Sequence, residues 1–207
     1  MVKKVNSTYD DFLGIKTEME MEDSSLDRKI YFDYAPTNYS FLEELFIKYP
    51  FFKNDSLIDF GCGKGRVLIM AAYYGCKYLT GYELSVDRYK TLLDNVEYFK
   101  TKNNNNSIFT LHNKNVEVIK KLDASINKLF FFNPFHLKIY IKVITSLLVS
   151  LQENKRDIYL FLYQPHGDTI KYIDSLGLFE KIDIIECRCT RNFETYIHYE
   201  MVVYKYT

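Results

Sequence analysis

The sequence of 207 residues contains no tryptophan, only four cysteines and four prolines, and no excess of either charge. Lysine plus arginine total 27, as do aspartate plus glutamate. A protein that depends on nucleic-acid phosphates usually has a basic excess, although a local basic patch remains open. Four scattered cysteines do not form the disulfide framework of a small secreted domain. No apolar run reaches the ~18 residues of a membrane helix, and no apolar signal core begins the sequence. These absences predict a soluble cytoplasmic protein.

The length fits one domain with a substantial core. Residues 1–30 are polar and acidic, and we interpret them as a cap or lid segment. Residues 31–207 then form the single domain. It begins with a helix after Pro36, for which Ser40 and Glu43 fit a capping box.

Five strand-helix units follow, from Leu57 to about Leu176, one of them with only a short helix over 116–122. Two β-rich runs, 179–188 and 193–206, come last with no helix between them, and the second alternates as a half-buried strand does. This order predicts an α/β fold: a Rossmann-like three-layer α/β/α sandwich with a seven-stranded, mostly parallel sheet and a C-terminal antiparallel β-hairpin.

The stretch 57–66 (LIDFGCGKGR) changes from an apolar strand into a turn with three alternating glycines, and an apolar helix follows it. A strand, a glycine turn and a helix N-terminus together form a cradle for a nucleotide-type ligand. The spacing Gly-x-Gly-x-Gly differs from the dinucleotide pattern, and no Walker loop is present. Asp59, two residues before Gly61, would repel a phosphate and attract an ammonium group. S-adenosylmethionine has an ammonium group and no phosphate.

Glu83 ends the second predicted strand, 18 residues after Gly65. A carboxylate there can accept hydrogen bonds from both hydroxyls of a ribose. The alternative is an acidic residue that stabilises the N-terminus of the next helix through its dipole.

The run from Asp59 to Arg66, with GYELS at 81–85, resembles class I S-adenosylmethionine-dependent methyltransferases over roughly residues 30–207. The stretches 13–17 (LGIKT), 34–37 (YAPT) and 131–135 (FFNPF) are similar to a group of small bacterial methyltransferase-like proteins. The resemblance implies that Asp59 and the glycine turn hold the amino acid part of the cofactor, that Glu83 holds the ribose and that Leu84 packs on the adenine. Asn113 and Lys114 stand where many relatives have an acidic residue for the adenine. The implied cofactor-binding set is Tyr34, Thr37, Asp59, Gly61, Cys62, Gly63, Gly65, Arg66, Glu83, Leu84, Asn113 and Lys114.

Asn133-Pro134-Phe135 follows the fourth predicted strand. It partly matches the Asn-Pro-Pro-Tyr/Phe motif of amino-group methyltransferases, which orients a nitrogen nucleophile. The resemblance implies a catalytic role for these three residues. The alternative is a helix start at Asn133 and Pro134 with Phe135 in the core.

Two other functions stay open: a non-catalytic S-adenosylmethionine-binding protein and an NAD-dependent oxidoreductase. The methyl acceptor is unassigned among protein, small molecule and RNA. Two groups of possible metal ligands lack the spacing of a metal site, and we therefore expect no metal. They are the histidines His112, His136 and His166 and the pair Cys187 and Cys189. The sequence does not predict the oligomeric state.

Overall fold

A computed structural model describes residues 9–18, 34–192 and 195–207, with side chains except at 187–192 and 195–198. Most of the predicted cap, residues 1–30, therefore lies outside the described residues, as do the side chains of Cys187 and Cys189.

The secondary structure alternates as the sequence predicts. The elements are α1 (residues 9–13), α2 (Tyr39–Lys48), β1 (Ser56–Phe60), α3 (Arg66–Tyr73), β2 (Tyr78–Tyr82), α4 (Val86–Lys102), β3 (Ile108–His112), a 3₁₀ turn (Val116–Val118), β4 (Lys128–Phe131), α5 (Leu137–Glu153), β5 (Tyr159–Tyr163), α6 (Gly167–Ser175), β6 (Phe179–Asn192) and β7 (Thr195–Tyr206).

The strands form one seven-stranded sheet in the order β3-β2-β1-β4-β5-β7-β6. The first five of these pair in parallel, while β7 is antiparallel to both β5 and β6. The predicted sheet and its C-terminal hairpin are confirmed. The chain order reverses between β1 and β4, and ligands of such sheets bind beyond the carboxyl ends of the strands at that point.

Helices cover both faces of the sheet because successive residues of its central strands are apolar. Leu57 and Phe130 belong to one core cluster, with side chains of α2, α3 and α4. Their neighbours Ile58 and Leu129 belong to a second cluster, with side chains of α5 and α6. The three-layer sandwich is therefore confirmed.

Three local predictions are wrong. Helix α2 is capped by Asn38, whose Oδ1 accepts from Ser40 N at 3.1 Å, so Ser40 lies inside the helix. The helix predicted over 116–122 is a single 3₁₀ turn, because the backbone becomes extended at Ile119 and Leu122 N donates to Ser146 O instead. Strand β7 is buried on both faces over residues 201–204, so the half-buried pattern fails there.

The described part of the predicted cap packs into the domain. Leu13 and Ile15 are buried in the same cluster as α2, α3 and α4. Asp10 and Thr17 are buried too, and Asp10 accepts hydrogen bonds from Thr17 N at 2.8 Å and Thr17 Oγ1 at 2.7 Å. Residues 9–18 thus share the core of the domain, while the boundary at residue 30 stays a prediction.

A buried ion pair fixes the start of the central strands. Lys128 Nζ lies 2.6 Å from Asp55 Oδ2, and their side chains are 5% and 10% exposed. Burial alone would raise the pKa of Asp55, but hydrogen bonds from Lys128, Phe52 and Asn127 lower it below its usual value. We expect Asp55→Ala to lower the free energy of unfolding by about 3 kcal/mol, because the Lys128 charge is left buried without a partner.

Urea denaturation measures this change. The double variant Asp55→Ala/Lys128→Met provides the control, since it removes both charges and should recover much of the loss. Equal losses in the single and the double variant would contradict the explanation.

Candidate functional site

A cleft opens at the carboxyl edge of the sheet, between the ends of β1, β2 and β4 and the segment 34–37. The structure brings most of the predicted site residues together in its wall. These are Tyr34, Thr37, Asp59, Gly61, Cys62, Arg66, Glu83, Leu84, Lys114, Asn133, Pro134 and Phe135. Gly63, Gly65 and Asn113 do not line the cleft.

The glycine turn joins β1 to α3 with a left-handed backbone, φ +79° at Gly61 and +54° at Gly63. A Cβ on Gly61 would lie 2.8 Å from Pro134 Cβ, and a Cβ on Gly63 would lie 2.3 Å from Cε2 of Tyr34. We predicted that a ligand occupies the space beside these glycines. Pro134 and Tyr34 occupy it instead, so the glycines allow two wall residues of the cleft to pack against the turn.

Glu83 holds the glycine turn in place. Its Oε2 accepts from Gly63 N at 2.8 Å and its Oε1 from Ser85 N at 2.7 Å. Ser85 is the N-cap of α4, so the alternative role at a helix start is also real. Burial raises the pKa of Glu83, although the two backbone hydrogen bonds and the charge of Arg88 partly offset this. Glu83 thereby connects β1 with α4 and faces the cleft.

Asp59 is a buried acidic residue of the cleft. It is 3% exposed, and no hydrogen bond from the described residues lowers its pKa. Burial and the nearby Glu83 carboxylate raise its pKa well above the usual value. Burial, Asp59 and Glu83 likewise raise the pKa of the Cys62 thiol. A cationic group bound here would offset the free-energy cost of burying both carboxylates in their charged form.

Arg66 ties the N-terminal segments to the cleft. Its Nε donates to Thr17 Oγ1 at 2.7 Å, its Nη2 to Thr17 O at 3.1 Å and its Nη1 to Thr37 O at 2.9 Å. Asp10 lies 3.6 Å from the guanidinium, and Tyr34 OH donates to Thr17 O at 3.0 Å. The predicted contact of Arg66 with a cofactor is untested; the structure shows that Arg66 positions Thr37 and, through Thr17, Tyr34.

Asn113 acts behind the cleft wall. Its Nδ2 donates to Glu83 O at 2.9 Å and to Leu84 O at 3.1 Å, so it holds the turn that follows β2. Lys114 lies in the wall beside Asn115. The loop after β3 therefore reaches the cleft as predicted, but through Lys114 and Asn115.

Asn133 is strained and has an unsatisfied acceptor. Its φ is +38°, and its buried Oδ1 has no hydrogen-bond partner in the described structure. Few residues other than glycine adopt this conformation, and strain of this kind clusters at functional sites. Helix α5 is capped by His136, so the alternative of a helix start at Asn133 is wrong. Phe135 is buried, with its ring centroid 4.8 Å from that of Tyr140. The alternative prediction that Phe135 lies in the core is therefore confirmed.

Sequence reasoning missed several residues of the wall, among them Tyr82, Arg88, Asn115 and Phe132. Arg88 had one available signal, since it lies one turn into the helix that follows Glu83. Tyr82 and Phe132 belong to or directly follow apolar strand runs, where nothing distinguishes a wall residue from a core residue.

Two of the histidines contact only their local surroundings in the described structure. His166 caps α6, with Asp168 N donating to its Nδ1 at 3.4 Å, and the ring of His112 stacks on Tyr82 with centroids 4.6 Å apart. Within 9–18, 34–192 and 195–207, no cluster of histidine, cysteine, aspartate or glutamate suits a metal ion. No described helix is long and apolar enough to cross a membrane.

Solved methyltransferase structures share this architecture. Precorrin-6y C5,15-methyltransferase from Geobacter metallireducens matches with a TM-score of 0.61 at 14% identity, over 91% of this chain and 97% of that one. tRNA (m1A58) methyltransferase from Aquifex aeolicus matches with a TM-score of 0.61 at 14% identity, over 96% of this chain and 75% of that one. Magnesium protoporphyrin IX methyltransferase from Synechocystis PCC 6803, with S-adenosylmethionine bound, matches with a TM-score of 0.54 at 14% identity, over 82% of this chain and 77% of that one. No family model and no curated protein matches the sequence.

The buried Asp59 generates a prediction for the free protein. Because its pKa is raised on folding, ionisation of Asp59 costs stability, and this cost grows as the pH rises from the unfolded value of about 4 through the raised pKa. We expect Asp59→Asn to raise the free energy of unfolding at pH 8 by about 2 kcal/mol and to change it little at pH 4.

Urea denaturation at both pH values provides the test. Asp94→Asn, at an exposed position of α4, is the matched control and should leave the stability nearly unchanged at both. A loss of stability in Asp59→Asn at pH 8 would mean that the carboxylate has a stabilising partner in the free protein.

Proposed function

We propose that this chain, whose fold is that of the class I methyltransferases, binds S-adenosylmethionine and transfers its methyl group to a nitrogen nucleophile. The observation that carries the proposal is Asp59, a buried carboxylate in a cleft at the switch point of the sheet, whose raised pKa no hydrogen bond from the described residues offsets. A buried charge of this kind is costly unless a ligand compensates it.

The cleft fits the amino acid part of this cofactor. Its ammonium group would compensate Asp59. The backbone N–H groups of Gly61, Cys62, Gly63 and Gly65 donate within the protein, so the side chains of the wall would make the polar contacts. Two buried carboxylates, Asp59 and Glu83, make the same place unfavourable for the pyrophosphate of NAD. This electrostatic argument ranks an oxidoreductase below a methyltransferase.

Glu83 would hold the ribose. Each of its carboxylate oxygens already accepts one backbone N–H and can accept a further hydrogen bond from a ribose hydroxyl. Leu84, Lys114 and Asn115 lie in the adjoining wall, and we assign the adenine to that end of the cleft.

The acceptor would lie at the other end, beside Asn133. The bound cofactor supplies an electrophilic methyl group on a sulfonium. Asn133 Oδ1 would accept an N–H of the nucleophile and so align its lone pair, since methyl transfer needs the reacting atoms about 3–3.5 Å apart in line. The nitrogen would form a bond to the methyl carbon, the sulfur–carbon electron pair would stay on sulfur, and the surplus proton of the nitrogen would pass to water.

A non-catalytic cofactor-binding protein is the alternative. It would have no use for a second polar group beyond the cofactor cradle. The unsatisfied, strained Asn133 favours an enzyme over such a protein.

Two ligands separate the roles of the carboxylates. S-adenosylhomocysteine has an amino acid part, a ribose and an adenine, whereas 5′-methylthioadenosine lacks the amino acid part. By titration calorimetry, Asp59→Asn should weaken S-adenosylhomocysteine roughly 10- to 100-fold, the range for a lost charged hydrogen bond, and leave methylthioadenosine nearly unchanged. Glu83→Gln should weaken both ligands.

The same titrations have a pH dependence. The ammonium group favours ionised Asp59, so the affinity for S-adenosylhomocysteine should fall as the pH drops through the raised pKa of Asp59, while that for methylthioadenosine should not. Tight binding of NAD without binding of S-adenosylhomocysteine would overturn the proposed function.

The role of Asn133 is tested by turnover. Purified protein is incubated with methyl-labelled cofactor and separate protein, RNA and metabolite fractions, and the labelled fraction supplies the assay. Asn133→Ala should lower turnover roughly 100-fold, a typical effect for a positioning group, with unchanged binding of S-adenosylhomocysteine. Asn104→Ala is the matched control because Asn104 also has a positive φ, +46°, but lies outside the cleft wall. Unchanged turnover in Asn133→Ala would contradict the assigned role.

A further inference from the structure

The C-terminal hairpin extends past the carboxyl edge of the sheet. Strand β7 pairs with β5 only as far as Tyr163 opposite Met201, but it continues to pair with β6 as far as Thr195 opposite Asn192. Because β7 is antiparallel to β5, its first six residues, Thr195–Glu200, lie beyond the end of β5. At about 3.3 Å per residue the two-stranded arm is roughly 20 Å long. It projects from the edge that carries the cleft.

Strand β5 stops because its chain turns away. Gln164 donates its N–H to Glu200 O at 2.9 Å and has a φ of +53°, and Pro165 follows. The chain then enters α6 at Gly167. Among the described residues, no strand pairs with β7 on this inner side beyond Met201.

The backbone of the arm directs hydrogen-bonding groups to that inner side, where none of the described strands pairs with it. The bond from Gln164 N to Glu200 O shows that Glu200 directs its carbonyl towards the line of β5. In an antiparallel ladder every second residue points the same way, so the backbone N–H and C=O of His198 and Tyr196 do so too. The register with β6 has no irregularity between Asp183 and Thr190, so this alternation continues along the arm.

The open edge is next to the acceptor end of the cleft. Strand β5 lies between β4 and β7 in the sheet, and neighbouring strands are about 4.8 Å apart. In the parallel register of β4 with β5, Phe132 and Asn133 are level with Tyr163 and Gln164. A strand that continued the line of β5 would therefore begin just beyond Asn133, and a side chain directed back along the sheet would reach this residue. The rings of Tyr163 and Phe132, with centroids 4.6 Å apart, already connect the two places.

We propose that this edge of β7 binds an extended peptide of a protein acceptor as an added strand, with a nitrogen-bearing side chain directed to Asn133. The inference rests on the proposed function and names its acceptor class. Strand addition provides main-chain hydrogen bonds for any extended sequence. The net charge of zero favours a peptide over RNA, whose phosphates need a basic surface.

The test uses synthetic peptides and the full chain. Short peptides with β-branched flanks and a central lysine or glutamine are incubated with methyl-labelled cofactor. Labelled peptides are then remade with a single backbone N-methyl group at successive positions. Each N-methyl group removes one donor, so labelling should fall roughly tenfold at every second flanking position and stay within about twofold at the positions between.

A matched pair of variants tests the same edge from the side of the protein. His198→Pro removes one inward N–H, which an edge strand tolerates, whereas His198→Ala keeps it. Peptide labelling should fall roughly tenfold in His198→Pro and stay near the wild-type value in His198→Ala. Both variants should bind S-adenosylhomocysteine normally, which shows that they are folded.

Three outcomes would overturn the docking proposal and leave the proposed function intact. These are label in RNA or metabolites but in no peptide, no label in any peptide although S-adenosylhomocysteine binds, and equal sensitivity to N-methylation at all positions. Loss of S-adenosylhomocysteine binding by the wild type would instead overturn the proposed function itself.

Discussion

The carboxylate of Glu83 is the interaction on which the arrangement of the cleft depends. It stands at the end of β2 and accepts one N–H from the glycine turn after β1 and another from the start of α4. Two turns that differ in sequence are thereby fixed to one buried group. The cost of burying that group is offset by the two backbone hydrogen bonds and by Arg88. Asp59, two residues before Gly61, receives no such compensation from the described residues.

This contrast separates a carboxylate that the protein itself compensates from one that it does not. Both side chains are buried and both pKa values are raised, yet among the described residues only Glu83 receives hydrogen bonds that offset this. A structure that kept Asp59 for stability alone would have given it a partner, as Asp55 has Lys128. The raised pKa of Asp59 fits the cationic ligand that we propose, and this is why Asp59 carries the proposed function.

Much of the fold was predictable from the sequence because its signals are local. The apolar strands, the helices between them and the glycine turn each follow from residues close together in the chain, and the parallel order follows from their alternation. The errors arise where a distant residue decides. Asn38 caps α2, although the sequence around Ser40 also fits a helix cap. Leu122 donates its N–H to Ser146 O and not to a carbonyl of the predicted helix. Residues Thr195–Glu200 extend beyond the sheet because β5 ends at Tyr163, and the sequence of β7 alone does not predict that end point.

The candidate site shows the same limit. Asp59 and Glu83 were identifiable because they lie at the carboxyl ends of strands, but the side chain that contacts each glycine was not. Pro134 occupies the space beside Gly61, and this contact joins the cofactor half of the cleft to the acceptor half. A side chain at position 61 would displace Pro134 and with it Asn133, whose backbone is already strained. The glycine turn therefore sets the position of the loop at Asn133 through Pro134, and the proposed cofactor and acceptor halves of the cleft cannot vary independently.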